Sequence, residues 1–372
     1  MRSSTQRLRI PMTFLGSGCS LVQHGMPKGQ RPVVEQEAID PPSEAFVRQM
    51  ISEEHFSGVA LVMREGKVVH ANGYGSATRK KENSVSTAFH VASLTKQFTA
   101  AAILQFVERG AVDLHTSVNE YLPPLYRSPQ WGGVTIHHLL SHTSGVPDYA
   151  LQRDYYHVVE GFASDDTVER MIKEAIAKDL EFPPRTKFSY SNIGYTLLGV
   201  VIESRSGMSY AEYLAANLFA PMGMDSSGIH VVGQRPSPND AAGHRWNEEL
   251  DAHVPDEVVT LPATAPDGGL ITTLTDFARW TGIYMEGEQT VLSQESVGRM
   301  VTPVMTSDEA SPPFAIGYGL LMRNGVIGHM GFIVGFRSHF IVVPKEKVLV
   351  AVFSNNTTND PTRIAEGLLA LQ

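Results

Sequence analysis

The sequence predicts an α/β fold in which an antiparallel sheet, flanked by helices, is built from both ends of the chain, with an all-helical domain inserted between. Three observations carry that expectation. Near the start, the β-rich runs Gly58 to Met63 and Val68 to His70 are joined at Glu65-Gly66, a hairpin signal. Near the end, Gly331 to Val343 and Val348 to Phe353 form a second such pair, turned at Pro344-Lys345-Glu346-Lys347. Between them the apolar spacing becomes helical over 93–109, 135–140, 166–180, 193–205 and 209–219, with Gly110, Gly207 and Gly223 at or just beyond the stops.

The flanking elements follow from local signals. Ordered structure is expected from Pro41-Pro42-Ser43, where Ser43 caps a helix carrying Ala45, Phe46, Val47, Met50 and Ile51. Thr273-Leu274-Thr275-Asp276 reads as a capping box before Phe277 and Trp280. Asp360-Pro361 opens a last helix through Ile364, Leu368 and Leu369, with proline at the first helical position.

At 372 residues and 42% hydrophobic, the chain can bury a large core. A formal net charge of −9 with no basic run argues against nucleic acid as a partner. No apolar stretch approaches the roughly 18–20 residues that a membrane-spanning helix needs. The sole cysteine, Cys19, excludes an intrachain disulfide and a Cys-rich metal site. Residues 1–40 read as a flexible N-terminal segment or a signal. Arg2, Arg7 and Arg9 precede the apolar stretch Ile10 to Leu15 and then Gly16-Ser17-Gly18-Cys19, an order that resembles a bacterial lipoprotein signal. That order implies a periplasmic or secreted protein, with Cys19 the residue that a lipoprotein would carry its anchor on; a disordered tail on a cytoplasmic protein is the alternative.

Three short motifs carry chemistry. In Ser93-Leu94-Thr95-Lys96 the serine and lysine are three apart, so on a helix they share a face. The following residues, Phe98 to Val107, are apolar nearly all round, which places Lys96 in a buried first turn where an amine can accept a serine proton. Tyr190-Ser191-Asn192 supplies a phenol able to carry a proton and an amide able to hold a substrate carbonyl or the lysine amine. His329-Met330-Gly331 begins a strand on which Gly331 permits close approach of a substrate backbone, with the N–H of Phe332 just beyond. Each has a plain structural alternative: Ser93 as an ordinary N-cap with a solvated Lys96, Asn192 as the cap of the helix at Ile193, and a glycine bulge beside an incidental histidine.

All three motifs, in this order, resemble the serine β-lactamase and penicillin-binding-protein superfamily, in its class C-like branch of esterases, DD-peptidases and D-aminopeptidases. Phe89-His90-Val91-Ala92, the segment Leu139-Leu140-Ser141-His142-Thr143-Ser144-Gly145-Val146-Pro147, Phe182-Pro183-Pro184, Gly268-Gly269-Leu270 and Gly317-Tyr318-Gly319-Leu320 are similar to segments of that branch. The resemblance implies a β-lactamase-like domain over 41–372, its α/β part about 41–92 and 265–372 and its helical part about 93–264. It implies an acyl-enzyme on Ser93, proton transfer shared by Lys96 and Tyr190, and substrate orientation by Asn192. It also implies an oxyanion hole from the backbone of Ser93 and Phe332 beside His329 and Gly331, with no metal or other cofactor.

The third motif departs from the Lys-Thr-Gly of true β-lactamases and many DD-peptidases. His329 is neutral at pH 7 unless shifted, and Met330 has no hydroxyl, so two attractions for a substrate carboxylate are missing. The expected substrates are therefore small carboxylic esters or D-amino-acid amides and peptides. The alternatives are a β-lactamase or DD-peptidase proper, or a covalent β-lactam or peptidoglycan receptor that does not turn over. Gly-x-Ser-x-Gly, the nucleophile signature of another hydrolase architecture, is absent. Tyr149, Tyr155, Tyr156 and Trp246 are candidates to line the cleft, each more readily read as structural.

Overall fold

The computed structural model describes residues 34, 37–148, 167–230, 237–256, 265–285, 291–307 and 313–372. Of the expected N-terminal segment or signal at 1–40, residues 1–33, 35 and 36, Cys19 among them, lie outside the described residues, as do Tyr149, Tyr155 and Tyr156. Arg31–Gln372 form one unit.

Asp40 opens the first helix, α1 (Pro41–Glu54), its carboxylate accepting from the Ser43 N–H at 3.0 Å and the Ser43 hydroxyl at 2.6 Å. The cap is thus Asp40 rather than Ser43, with Pro41 at the first helical position, where its missing N–H costs nothing. β1 (Gly58–Arg64) and β2 (Lys67–Tyr74) form a hairpin around Glu65 (φ 51°) and Gly66 (φ 75°). Positive φ at both positions marks the turn type whose twist suits a two-residue hairpin. Three short strands follow, β3 (Ser76–Thr78), β4 (Lys81–Glu82) and β5 (Phe89–His90).

The middle of the chain is mostly helical: α2 (Lys96–Glu108), α3 (Ile136–Leu140), α4 (Thr167–Ile176), α5 (Asn192–Ser206), α6 (Tyr210–Leu214) and α7 (Ala220–Met222), the last two joined by a π turn over Ala215–Phe219. Short strands β6 (Gly228–Ile229), β7 (His244–Asn247) and β8 (Ala252–Pro255) come next. Trp246 lies on the β7–β8 hairpin, its ring stacked on His55 at 3.5 Å, which gives it a structural role. After α8 (Ala265–Gly268) and β9 (Leu270–Thr272) come α9 (Leu274–Met285) and α10 (Gln294–Met300). Thr273 caps the Asp276 N–H at 3.3 Å, but the Asp276 carboxylate turns away to Ser226, Ser227 and Arg279, so only half of the expected capping box forms.

The C-terminal end supplies β10 (Met305–Ser307), β11 (Phe314–Ile316), β12 (Leu321–Arg323), β13 (Val326–Ile333), β14 (Phe336–Val343), β15 (Val348–Ser354) and α11 (Pro361–Ala370). The run expected as one strand from Gly331 to Val343 is instead a hairpin: Ile333 pairs with Phe336 across Val334 and Gly335, and Gly335 takes φ 84°. Six further strands join the first hairpin in one antiparallel sheet of order β10-β11-β12-β13-β14-β15-β1-β2. The sheet is therefore built from both ends of the chain. Strands β15 and β1, flanked by β14 and β2, are buried along nearly their whole length. Val47, Met50, Ile364 and Leu368 of α1 and α11 cover one face over Val62, Val350 and Val352. Leu61, Phe340, Ala351 and Phe353 on the other face pack into the core that holds α2, α5 and α9.

Gly319 couples the sheet side to the helical side. It has φ 68°, and a β-carbon there would stand 2.7 Å from the Gln97 nitrogen and the Lys96 carbonyl carbon. Nothing flexible lies in that gap. Gly319→Ala is expected to destabilise the fold by about 1–3 kcal/mol, measured as a lowered urea midpoint with an unchanged slope; an unchanged midpoint would show that the first turn of α2 can yield.

Candidate active site

Ser93 stands in a 3-10 turn, Ala92–Thr95, and α2 begins only at Lys96. Ser93 is thus neither an N-cap nor part of the α-helix, contrary to the helical start expected at 93. Ala92 takes φ 48°, a conformation disfavoured for a residue with a β-carbon. The strained turn is tied on several sides. Thr95 Oγ1 donates to the Ala92 carbonyl at 2.6 Å, the Leu270 N–H donates to Thr95 Oγ1 at 3.0 Å, and the Val91 N–H donates to the Leu270 carbonyl at 3.0 Å.

Lys96 has 0% of its surface exposed, so the solvated-lysine alternative fails. Its Nζ donates to Ser93 Oγ at 3.1 Å, Asn192 Oδ1 at 2.8 Å and the Asp267 backbone carbonyl at 2.7 Å. These oxygens come from the 3-10 turn holding Ser93, the first residue of α5 and the α8 turn. The acceptors fit both states of the nitrogen. As an ammonium it fills all three; as an amine its two N–H groups go to the two carbonyl oxygens, which leaves the lone pair for Ser93.

Tyr190 is half-buried just before α5, with the Lys96 Nζ 4.8 Å from its ring centroid. Its hydroxyl is buried and has no hydrogen-bond partner among the described residues. Ser191, not Asn192, caps α5, accepting from the Gly194 N–H at 3.1 Å. That leaves the Asn192 side chain to face Lys96, so the expectation of a mere helix cap is corrected.

His142 lies beneath the phenol, its ring 4.3 Å from that of Tyr190 and 5.0 Å from that of Tyr195. Its Nδ1 accepts the Ser191 N–H at 3.1 Å, which puts the ring proton on Nε2. Burial, with the Lys96 charge as a second cause, pushes its pKa well below the usual histidine range. The Leu139–Pro147 segment was visible in the sequence, but this contact joins residues 49 apart, and nothing local signals it.

His329 lies within β13 rather than at its start, with 4% of its surface exposed, its Nδ1 2.6 Å from the Met330 carbonyl and its ring 6.2 Å from that of Tyr190. Burial and the Lys96 charge lower its pKa to about 3, so it is uncharged at neutral pH. Strand alternation turns Met330 and Phe332 outward, each 51% exposed, while Gly331 is buried. A β-carbon at Gly331 would collide with the Val91 carbonyl and the Ser338 hydroxyl. The absent side chain is what lets β13 lie against the turn holding Ser93. On its other side β12 pairs only as far as Leu321 opposite Gly328, so among the described residues the edge 329–333 has no strand partner there. An open edge beside a serine and a buried lysine can take up an extended substrate by backbone pairing.

Comparisons with known proteins place the chain in a family. The beta-lactamase family model matches residues 43–372. A penicillin-binding protein of Bacillus subtilis (strain 168) is 30% identical over 317 residues, covering 79% of this chain and 67% of its own length. A D-aminopeptidase of Gluconobacter oxydans (strain 621H) is 29% identical over 322 residues, covering 84% of this chain and 58% of its own. The chain thus spans about two thirds or less of the length of these curated relatives. The crystal structure of a penicillin-binding protein from Bacillus halodurans superposes with a TM-score of 0.76 at 28% identity, over 88% of this chain and 99% of that one. With the sheet, the helical stretch and the Ser93–Lys96 pair in place, the chain belongs to the beta-lactamase family.

Proposed function

We propose that the protein is a serine hydrolase that works through an acyl-enzyme on Ser93 and cleaves carboxylic esters or D-amino-acid amides and peptides. The observation that carries this reading is the Lys96 Nζ, fully buried and 3.1 Å from Ser93 Oγ, with its two other bonds on carbonyl oxygens. On this reading the cleft lies between an α/β part, about 41–92 and 265–372, and a helical part, about 93–264.

The hydrogen bonds of Lys96 support the following steps. Neutral Lys96 takes the Ser93 proton as Oγ bonds to the substrate carbonyl carbon. The carbonyl oxygen becomes an oxyanion held by the backbone N–H groups of Ser93 and Phe332, the kind of donor whose loss costs about 3–4 kcal/mol. The bond to the leaving group breaks as Tyr190, whose buried hydroxyl has no partner among the described residues, gives that group its proton. The Lys96 ammonium then reprotonates Tyr190. Water attacks the acyl carbon in turn, its proton passes to Lys96, and Ser93 leaves the carbon and regains its hydrogen. Asn192 holds Lys96 and orients the substrate.

The substrate class rests on the third motif. His329 is held neutral, and the Met330 side chain points out of the opposite face of the sheet. Neither supplies the charge or the hydroxyl that would grip the carboxylate of a β-lactam or a D-Ala-D-Ala terminus. An ester, or a peptide recognised through its other end, loses less. The relative described as a D-aminopeptidase supports the same direction.

Purified protein is expected to turn over a short-chain p-nitrophenyl ester or a D-alanyl anilide continuously, to cleave a chromogenic cephalosporin slowly, and to lose all three activities in Ser93→Ala. Activity retained in Ser93→Ala removes the nucleophile assignment. A stoichiometric burst that then stops on every substrate replaces the hydrolase with a covalent receptor. Introducing His329→Lys together with Met330→Thr should raise the rate on the cephalosporin relative to the ester. A ratio that stays fixed would refute the argument from the third motif.

A further inference from the structure

Asp148 follows directly on the Leu139–Pro147 segment, whose Gly145-Val146-Pro147 end has no part in the chemistry above. It is 6% exposed and reaches the site from 44 residues away in sequence. One carboxylate oxygen accepts the backbone N–H groups of Asn192 at 2.8 Å and Ile193 at 3.1 Å, the first two residues of α5. The other accepts the Asn192 side-chain Nδ2 at 3.0 Å.

That second bond has a consequence for Lys96. A carboxamide carries a donor at one end and an acceptor at the other, and it can rotate to exchange them. An ionised carboxylate only accepts. With Asp148 on one side, the Asn192 Nδ2 must face it, and Oδ1 must face the Lys96 nitrogen, where it accepts at 2.8 Å. If the amide turned over, its NH2 group would meet the lysine N–H groups donor against donor, and its oxygen would meet the carboxylate. We infer that Asp148 is a positioning residue that fixes the Asn192 amide in the orientation that presents an acceptor to Lys96, and thereby keeps the lysine nitrogen aimed at Ser93. This inference rests on the reading of Ser93 and Lys96 as the reacting pair.

The arrangement allows a test by exchange. In Asp148→Asn, the side-chain oxygen can still accept from the α5 backbone, but its NH2 group opposes the Asn192 NH2. The amide is driven to flip, and Lys96 loses an acceptor. In Asn192→Asp, two carboxylates oppose each other across 3.0 Å. In the double variant, Asp148→Asn with Asn192→Asp, each of the four bonds described above can form again. The new amide at position 148 accepts from the α5 backbone and donates to the new carboxylate at position 192, which in turn accepts from Lys96.

Steady-state hydrolysis of the p-nitrophenyl ester is measured for the wild type, both single variants, the double variant and Ser93→Ala, at a temperature below every variant's unfolding midpoint. Asp148→Asn is expected to lower kcat by about 10²-fold, the scale of a misplaced reacting group, with KM changed little. Asn192→Asp should fall at least as far. Both Asn192→Asp and the double variant set a carboxylate against Lys96, which favours the ammonium, so these two are compared: the double variant should recover at least about tenfold over Asn192→Asp, a coupling between the two positions that a purely structural loss at Asp148 cannot give. A kcat for Asp148→Asn within a few-fold of wild type, or a double variant no faster than Asn192→Asp, overturns the inference while Ser93-dependent turnover leaves the hydrolase reading standing. Turnover that survives in Ser93→Ala overturns both.

Discussion

A lysine nitrogen with no solvent around it must find all its hydrogen bonds inside the protein, and the architecture of this site follows from that demand. Lys96 finds them on three stretches far apart in sequence: its own turn, the start of α5 and the turn of α8. An uncompensated buried charge costs several kcal/mol. The three stretches therefore have to arrive together for the core to close around α2. The same three oxygens impose direction. Two belong to carbonyl groups that can only accept, so among these three contacts the Ser93 hydroxyl is the one able to exchange a proton with the nitrogen.

The groups around the lysine are chosen by the same constraint. A second cation within this dry volume would repel Lys96 strongly, because charges interact more in the interior than in water. The two histidines nearest the phenol are both kept uncharged by burial and by the lysine itself. They contribute shape and hydrogen bonds rather than charge: His142 through its ring beneath Tyr190 and its bond to the Ser191 N–H, His329 through its side chain in the wall formed by β13. The Asp148 carboxylate reaches the lysine through the Asn192 amide. Direct contact would favour the ammonium.

Much of the fold was legible because its signals are local. The Glu65-Gly66 turn, the Asp360-Pro361 helix start and the Gly207 stop each depend on residues within a few positions of one another, and each appears where expected. The misreadings are of the same local kind. Asp40-Pro41 carries the same capping signal as Asp360-Pro361, whereas Ser43 lies inside the helix that it was expected to cap. The single long strand expected from Gly331 overlooked that Gly335, among β-branched and aromatic neighbours, is the residue able to take the positive φ of a turn. The site divides along the same line. Ser93, Lys96, Tyr190, Asn192 and Gly331 are visible as short motifs. The Asp267 carbonyl, the His142 ring and the Asp148 carboxylate are not, since their roles arise only when segments 44 to 171 residues apart meet.

The turn that presents Ser93 shows why such long-range contacts matter to the short motif. Ala92 at φ 48° holds a conformation that costs about 1–3 kcal/mol and persists only where its surroundings over-determine it. Here they do. The Val91 carbonyl accepts the Ser338 hydroxyl from β14 at 2.9 Å and leaves room for Gly331 of β13 alone, while Thr95 links the Ala92 carbonyl to the Leu270 N–H of β9. The sheet thus clamps the serine turn from one side and the β9 backbone from another. Ser-x-x-Lys on a relaxed helix would bring the same two side chains within reach of each other. What the clamp adds is a fixed position for the serine backbone against the open edge of β13, so that the backbone N–H groups at 93 and 332 belong to one rigid frame. The strain at Ala92 is the local cost of that frame, offset by bonds that no four-residue motif contains.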